Sequence, residues 1–133
     1  MGFYCECPRV LWLLNTGKRI WYNLCVFEPF DFTTSQILDW ELEMIHNALD
    51  KQEIEITRHA ANAAEDDGLT LFQLLEAVLV GVPVSKDLPD NDFERIPGIN
   101  FEHRTTDLRW YRIKVAWIDQ YLIITAHTIL RTP

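Results

Sequence analysis

Four side chains of this sequence could together bind and cleave a phosphate ester. Arg58 and His59 follow Thr57, and Lys114 and His127 come near the end of the chain. Thr57 is a residue type that caps helices, so Arg58 and His59 should lie in a helix's first turn. The positively polarised start of a helix favours anions. This pattern indicates a candidate site for phosphate or nucleic acid.

A metal-independent ribonuclease needs a base, an acid and cations around the phosphate of its transition state. His59 could act as the base or the acid, and His127 could be the second proton-transfer group. Arg58 and Lys114 could be the phosphate clamps. An interpretation at least as good is that His59 has a structural role, with its ring bonded to a backbone group where the strand meets the helix.

Two pairs of polar residues near the end of the chain must each share a strand face. Thr125 and His127 are two residues apart, as are Arg112 and Lys114, and side chains alternate along a strand with a period of two. Spacing alone does not decide whether these faces coincide with each other or with the start of the helix.

The net charge of −8 is distributed unevenly. Residues 28–68 carry eleven acids against two bases, and residues 103–133 carry five bases against two acids. This acidity counts against a general nucleic-acid binder. RNA would have to meet the last strands, where Arg109 and Arg112 are the candidate binding residues. The acids Asp39 and Glu43 are either an ordinary solvated face or a docking surface for a basic protein.

Other chemistry has little support in the sequence. Cys5, Cys7 and Cys25 have no zinc-type spacing, so we expect reduced thiols, with no metal and no cofactor. A serine or cysteine nucleophile lacks its motif. We expect no leader peptide and no membrane span, and hence a cytoplasmic protein.

One domain should hold these residues, since 133 residues can bury one core. Residues 10–14 and 20–26 predict a β-hairpin. A capping box from Thr33 to Gln36 should open a helix through residue 49, with its acids, Glu41 included, on the outer face.

The elements around the candidate site follow in order. We predict a short strand over 53–56, a helix from Arg58 that ends at Gly68, and a helix that starts at Thr70 and stops before Gly81. Residues 84–106 are rich in Pro, Asp, Asn and Gly and predict a long loop. Residues 110–118 and 121–129 should form a second hairpin, central to the sheet.

The stretch from about 48 to 129 resembles a known bacterial family. It carries the entry I-E-I-T-R-H-A, the turn E-D-D-G-L-T and the terminal strand L-I-I-T-A-H-T. These motifs are similar to those of the domain of unknown function 4258, a distant relative of the RelE, ParE and BrnT toxins. The resemblance implies an α+β fold with three helices on an antiparallel sheet, and toxin or ribonuclease activity in relatives. The hairpin within residues 1–32 would be an addition to that fold.

Two functions remain open at this point. The first is a small acidic interaction protein of a bacterial or phage conflict system, which would bind a basic protein partner and could also self-associate. The second is a metal-independent endoribonuclease that uses His59, Arg58, Lys114 and His127.

Overall fold

The computed structural model describes residues 9–13, 19–23, 30–89, 96–118 and 120–129, which contain three helices and seven strands. The first two strands, β1 (Arg9–Leu13) and β2 (Arg19–Asn23), pair antiparallel, which confirms the expected pairing for these residues. The rest of the predicted hairpin, residues 14–18 and 24–26, and the three cysteines lie outside the described residues. The remaining elements are α1 (Asp39–Asp50), β3 (Ile54–Ile56), α2 (Arg58–Asp66), α3 (Leu71–Val80), β4 (Val82–Asp87), β5 (Gly98–Arg104), β6 (Trp110–Ile118) and β7 (Gln120–Ile129).

A five-stranded sheet in the order β3-β7-β6-β5-β4 forms the frame of this α+β fold. The expected hairpin β6–β7 is present, and β6 is the central strand. The prediction of a purely antiparallel sheet was wrong, because β3 pairs with β7 in parallel. No tight turn joins these two strands. The helices and strands between them form a long connection, which allows both to run in the same direction.

The capping residues Thr57 and Thr70 correctly predicted where α2 and α3 begin. Thr57 Oγ1 accepts a hydrogen bond from Ala60 N at 3.1 Å. Thr70 Oγ1 accepts from Gln73 N at 3.2 Å, and Gln73 Oε1 accepts from Thr70 N at 2.8 Å. These bonds satisfy N–H groups that a helix start otherwise leaves unpaired.

The predicted start of α1 was wrong. The helix begins at Asp39, and Glu41 Oε1 accepts a hydrogen bond from Leu38 N at 2.8 Å. Thr33 instead bonds through both its backbone N–H and its hydroxyl to Asp31, in a local turn. Glu41 thus caps the start of α1, and the predicted capping pattern of Thr33 and Gln36 lies before the helix.

The predicted loop over 84–106 was also wrong in the part that the structure describes. Strands β4 and β5 pair antiparallel there, and residues 98–102 are all buried. The buried polar groups of this pair have partners, since Asn100 Nδ2 donates to Ser85 Oγ at 3.0 Å. Because β4 and β5 bury polar as well as apolar side chains, their sequences lack the alternation of apolar and polar residues by which a strand is recognised.

The three helices pack on one face of the sheet. Buried helix residues such as Ile45, Ala60 and Leu74 meet the inward side chains of the strands, including Phe101 and Ile113. A register shift beside Lys114 pairs Val115 with Ile123 and Lys114 with Thr125. This bulge keeps Ile123 and Ala126 both in the core although they are three residues apart.

Candidate functional site

A row of charged side chains crosses the sheet on the face opposite the helices. Glu102 on β5 pairs in register with Arg112 on β6, which pairs with His127 on β7. The flanking residues, such as Phe101 and Ile113, point into the core, so alternation directs this row to the other face. The pair Arg112 and Lys114 and the pair Thr125 and His127 therefore lie on the same face of the sheet, which their spacing in the sequence could not decide.

Arg112 is held by a carboxylate that the sequence prediction missed. Its Nε donates to Glu102 Oε2 at 3.0 Å and one terminal nitrogen donates to the same oxygen at 2.5 Å. The Glu102 side chain is 2% exposed, whereas that of Arg112 is 38% exposed. The ion pair therefore orients the guanidinium and leaves part of it open to solvent. Glu102 could not be found because it was assigned to a loop.

His127 lies at the open edge of this row. Its side chain is exposed. Partial desolvation of the ring by neighbouring atoms and the positive charge of Arg112 nevertheless lower the pKa of His127 below its ordinary range, while Asp67 and Glu102 act in the opposite direction. The imidazole is therefore neutral at neutral pH and can accept a proton.

Lys114 is bound within the protein. Its Nζ lies 2.6 Å from Asp87 Oδ2 and donates to the carbonyl of Ile96 at 3.2 Å. Its side chain is largely buried. Lys114 therefore ties β6 to β4 and to the chain before β5, and a phosphate would have to compete with Asp87 for it.

Helix α2 runs alongside β7, with Arg58 and His59 at its start. Thr57 Oγ1 donates to Ile124 O at 3.1 Å, and at the far end Asp67 Oδ2 accepts from Thr128 N at 2.8 Å. Eight residues of helix, a rise of about 12 Å, separate His59 from Asp67. His59 and His127 are thus anchored near opposite ends of α2. Arg58 is exposed and His59 is half-buried, with interactions of its own.

Arg104 and Arg109, the other bases of residues 103–133 that the structure describes, have partners as well. Arg109 Nε donates to Asp107 at 2.9 Å, and its Nη1 donates to the carbonyl of Asp67 at 2.7 Å. Arg104 lies over the ring of Trp110 at 5.9 Å. The acids that neutralise Arg112 and Lys114 come from β5 and β4, outside the segment whose charges predicted a basic region. The described part of that segment is therefore a balanced surface of ion pairs.

The outer side of α1 combines acids with large apolar side chains. Asp39 and Glu43 are exposed, as predicted, and Trp40 and Met44 beside them are 44% and 38% exposed. Glu41 was wrongly placed on this face: it is fully buried and pairs with Lys86. The exposed acids continue from α1 into β3 and α2; they are Asp39, Glu43, Asp50, Glu53, Glu55, Glu65 and Asp66.

The residues that the structure describes show neither a cluster of metal ligands nor a membrane-spanning helix. No group of three or more His, Cys, Asp or Glu side chains there could hold a metal ion. Likewise, no helix in the described ranges is long and apolar enough to cross a membrane. Comparison of the chain with protein-family models, with curated proteins and with solved structures finds no match.

Proposed function

We propose that this chain is a small acidic interaction protein that binds a basic protein partner through the outer side of α1. The observation that carries the proposal is the arrangement of Trp40 and Met44, one helical turn apart and exposed, beside the row formed by the acids Asp39 and Glu43. Interfaces typically centre on aromatic and methionine side chains and place charged groups around them. The apolar pair would supply affinity and the acids would supply orientation.

The charge of the whole chain supports the same partner. A net charge of −8 and the exposed acids of α1, which are Asp39, Glu43 and Asp50, attract a basic surface and speed its approach. The only exposed bases between residues 39 and 66 are Lys51 and Arg58. The resemblance of residues 48–129 to the RelE/ParE-like toxins suggests the setting, a bacterial or phage conflict system in which such a partner would be a toxin, an antitoxin or a nuclease.

Matched charge reversals test this proposal. Immobilised protein is incubated with lysate of the source cell, and bound proteins are identified with the wild type, Glu43→Lys and Glu65→Lys. The proposal expects one basic protein that elutes at high salt, is lost with Glu43→Lys and is retained with Glu65→Lys. Glu65 is an equally exposed acid on α2 and receives the same change of charge.

The apolar half of the surface has its own test. Trp40→Ala should weaken the captured protein's binding, measured by calorimetry, by a similar factor at low and at moderate salt, because it removes apolar contact rather than charge. If both variants at α1 retain the captured protein with wild-type affinity, binding through α1 is wrong.

A second candidate function is favoured by one observation, the row formed by Glu102, Arg112 and His127. In a metal-independent ribonuclease at this face, neutral His127 would take the proton of the 2′-hydroxyl and Arg112 would stabilise the phosphate of the transition state. Glu102 would hold the guanidinium in place. Arg58, His59 and Lys114 remain candidates for the phosphate contacts and the acid, although Lys114 would first have to leave Asp87.

An RNA-cleavage assay in EDTA separates the two functions. Wild-type protein is compared with His127→Ala, His59→Ala and the control His46→Ala, whose ring Nε2 bonds to the carbonyl of Val78 in the helical layer. Cleavage that survives EDTA and disappears with His127→Ala would establish the enzyme. Absence of cleavage by the wild type would eliminate it.

A further inference from the structure

The outer side of α3 carries an apolar stripe that the core does not use. Leu71, Phe72, Leu79 and Val80 are exposed, and Phe72 keeps 72% of its surface open to solvent. Leu75, between them, is half-buried. Phe72 and Leu79 are seven residues apart, or about two turns, so they lie on the same side of the helix. Exposed apolar side chains grouped in this way mark an interaction surface.

The stripe is symmetric about the middle of the helix, which lies between Leu75 and Glu76. Leu71 and Val80 lie at equal distances from this point, and so do Phe72 and Leu79. A half-turn rotation about an axis through the midpoint exchanges the two ends. An identical helix in the antiparallel direction would therefore place its Leu79 against Phe72, and its Phe72 against Leu79. A two-fold interface requires this self-complementarity, whereas binding to an unrelated protein does not.

The charges of α3 also suit a second copy of the chain. Two copies, each with a net charge of −8, repel one another unless they meet where acids are scarce. Helix α3 has one charged residue, Glu76, and its Oε1 lies 3.7 Å from Nε2 of His103. The acids of α1 favour a basic partner, but the stripe on α3 has one charge, Glu76 between Phe72 and Leu79, and offers such a partner little electrostatic attraction. Two copies of this acidic chain would repel each other less at this surface than at the acidic surfaces of α1 and α2.

We propose that α3 packs antiparallel on α3 of a second copy, with the two-fold axis at the helix midpoint, to form a homodimer. The surface is smaller than the roughly 20–30 residues a side of a standard interface, so the dimer should dissociate on dilution. This proposal rests on residues of α3 alone and does not depend on the function proposed above.

A charge-swap experiment tests the geometry. Sedimentation velocity should show a concentration-dependent dimer for the wild type and monomers for both Phe72→Glu and Leu79→Lys. An equimolar mixture of the two variants should dimerise again, because the new carboxylate and the new ammonium then face each other across one contact while the other contact keeps its native Phe72 and Leu79 side chains.

The matched control is Leu108→Glu, which places the same charge on an apolar residue that is 67% exposed outside α3. It should keep the wild-type dimer. Circular dichroism should show folded protein for all variants, since Phe72 and Leu79 are exposed. A wild type that stays monomeric at every concentration overturns the proposal. So does a mixture that fails to dimerise, or a control that dissociates like Phe72→Glu.

Discussion

Lys86 and Glu41 form an ion pair with both side chains fully buried, in which Nζ lies 2.6 Å from Oε1. Lys86 Nζ also donates to the carbonyl of Asp31 at 2.9 Å. Glu41 accepts from the backbone N–H groups of Leu38 and Asp31 at 2.8 and 2.9 Å. The network thus ties β4 to α1 and to the segment that leads into it. Its hydrogen bonds offset the cost of removing two charges from water.

Lys86→Met should be strongly destabilising, because it leaves the Glu41 carboxylate buried without its cation. We expect the free energy of unfolding to fall by about 3–5 kcal/mol. Urea denaturation followed by circular dichroism measures the change. Lys51→Met, at an exposed position, is the control and should stay within roughly 0.5 kcal/mol of the wild type.

The double variant Glu41→Gln/Lys86→Met should be more stable than Lys86→Met alone, because the neutral amide no longer buries an unpaired charge. Glutamine keeps one acceptor oxygen, so in the observed geometry it can accept the hydrogen bond of either Leu38 or Asp31, which bond to different oxygens of Glu41. Equal stability of the single and double variants would mean that Glu41 is not the group that Lys86 stabilises.

The two threonines at predicted caps should differ in their contribution to stability. Thr70→Ala removes the bond to Gln73 N at the start of α3 and should cost about 1 kcal/mol of unfolding free energy. Thr33→Ala removes only an exposed turn contact to Asp31 and should cost less than about 0.5 kcal/mol. Urea denaturation of both variants measures this difference. A larger loss with Thr33→Ala would mean that Thr33 does more than the turn contact suggests.

Signals within a few residues of each other were sufficient to predict α2 and α3. Thr57, Thr70 and Gly68 determine where these helices begin and end, and their hydrogen-bond partners lie one turn away. The missed elements depend on distant partners. Lys86 and Glu41 are separated by 45 positions in the sequence, so neither the strand β4 nor the burial of Glu41 could be inferred from local pattern. An acid is normally exposed unless such a partner exists.

The candidate site could also be predicted only in part, because its contacts join residues that are distant in the sequence. A period of two correctly grouped Arg112 with Lys114, and Thr125 with His127. Their placement on one face depends on the register of β6 against β7 and on the bulge after Lys114. Glu102 joins the row only because β5 exists, and β5 was assigned to a loop. The charge count over residues 103–133 missed the acids that neutralise Arg112 and Lys114 for the same reason.

The pKa of His127 should lie below 6.5, because burial and Arg112 disfavour the imidazolium. NMR titration of the ring resonances measures it. Arg112→Gln removes one of the two main causes and should raise this pKa towards its ordinary value. The control Arg58→Gln, at the start of α2, should leave it unchanged. An unchanged pKa in Arg112→Gln would show that the guanidinium does not act on His127.

The same shift makes stability depend on pH. Below the ordinary histidine pKa the unfolded chain binds a proton at His127 more readily than the folded protein does. The stabilising contribution of neutral His127 is therefore complete above about pH 6.5 and is lost as the pH falls through the lowered pKa. Urea denaturation between about pH 5 and 7 should show a smaller pH dependence for His127→Gln than for the wild type.

Two glycines near the candidate site should respond differently to an added methyl group. At Gly98, the first residue of β5, a Cβ atom would lie 2.4 Å from the carbonyl oxygen of Val115, a backbone atom fixed by the β5–β6 pairing. At Gly68 the nearest atom is Nη1 of Arg109, at 3.6 Å, and the main cost is the positive φ of 70°.

Gly68→Ala should therefore lose about 1 kcal/mol of unfolding free energy, the cost of the left-handed conformation. Gly98→Ala should lose about 3 kcal/mol, because relief of the clash requires a backbone shift. The same shift should loosen the bond from Lys114 Nζ to Ile96 O, since the added Cβ would also lie 3.2 Å from Cγ of Lys114. Urea denaturation gives both losses. Equal losses at the two positions would show that β5 can move away from β6 at little cost.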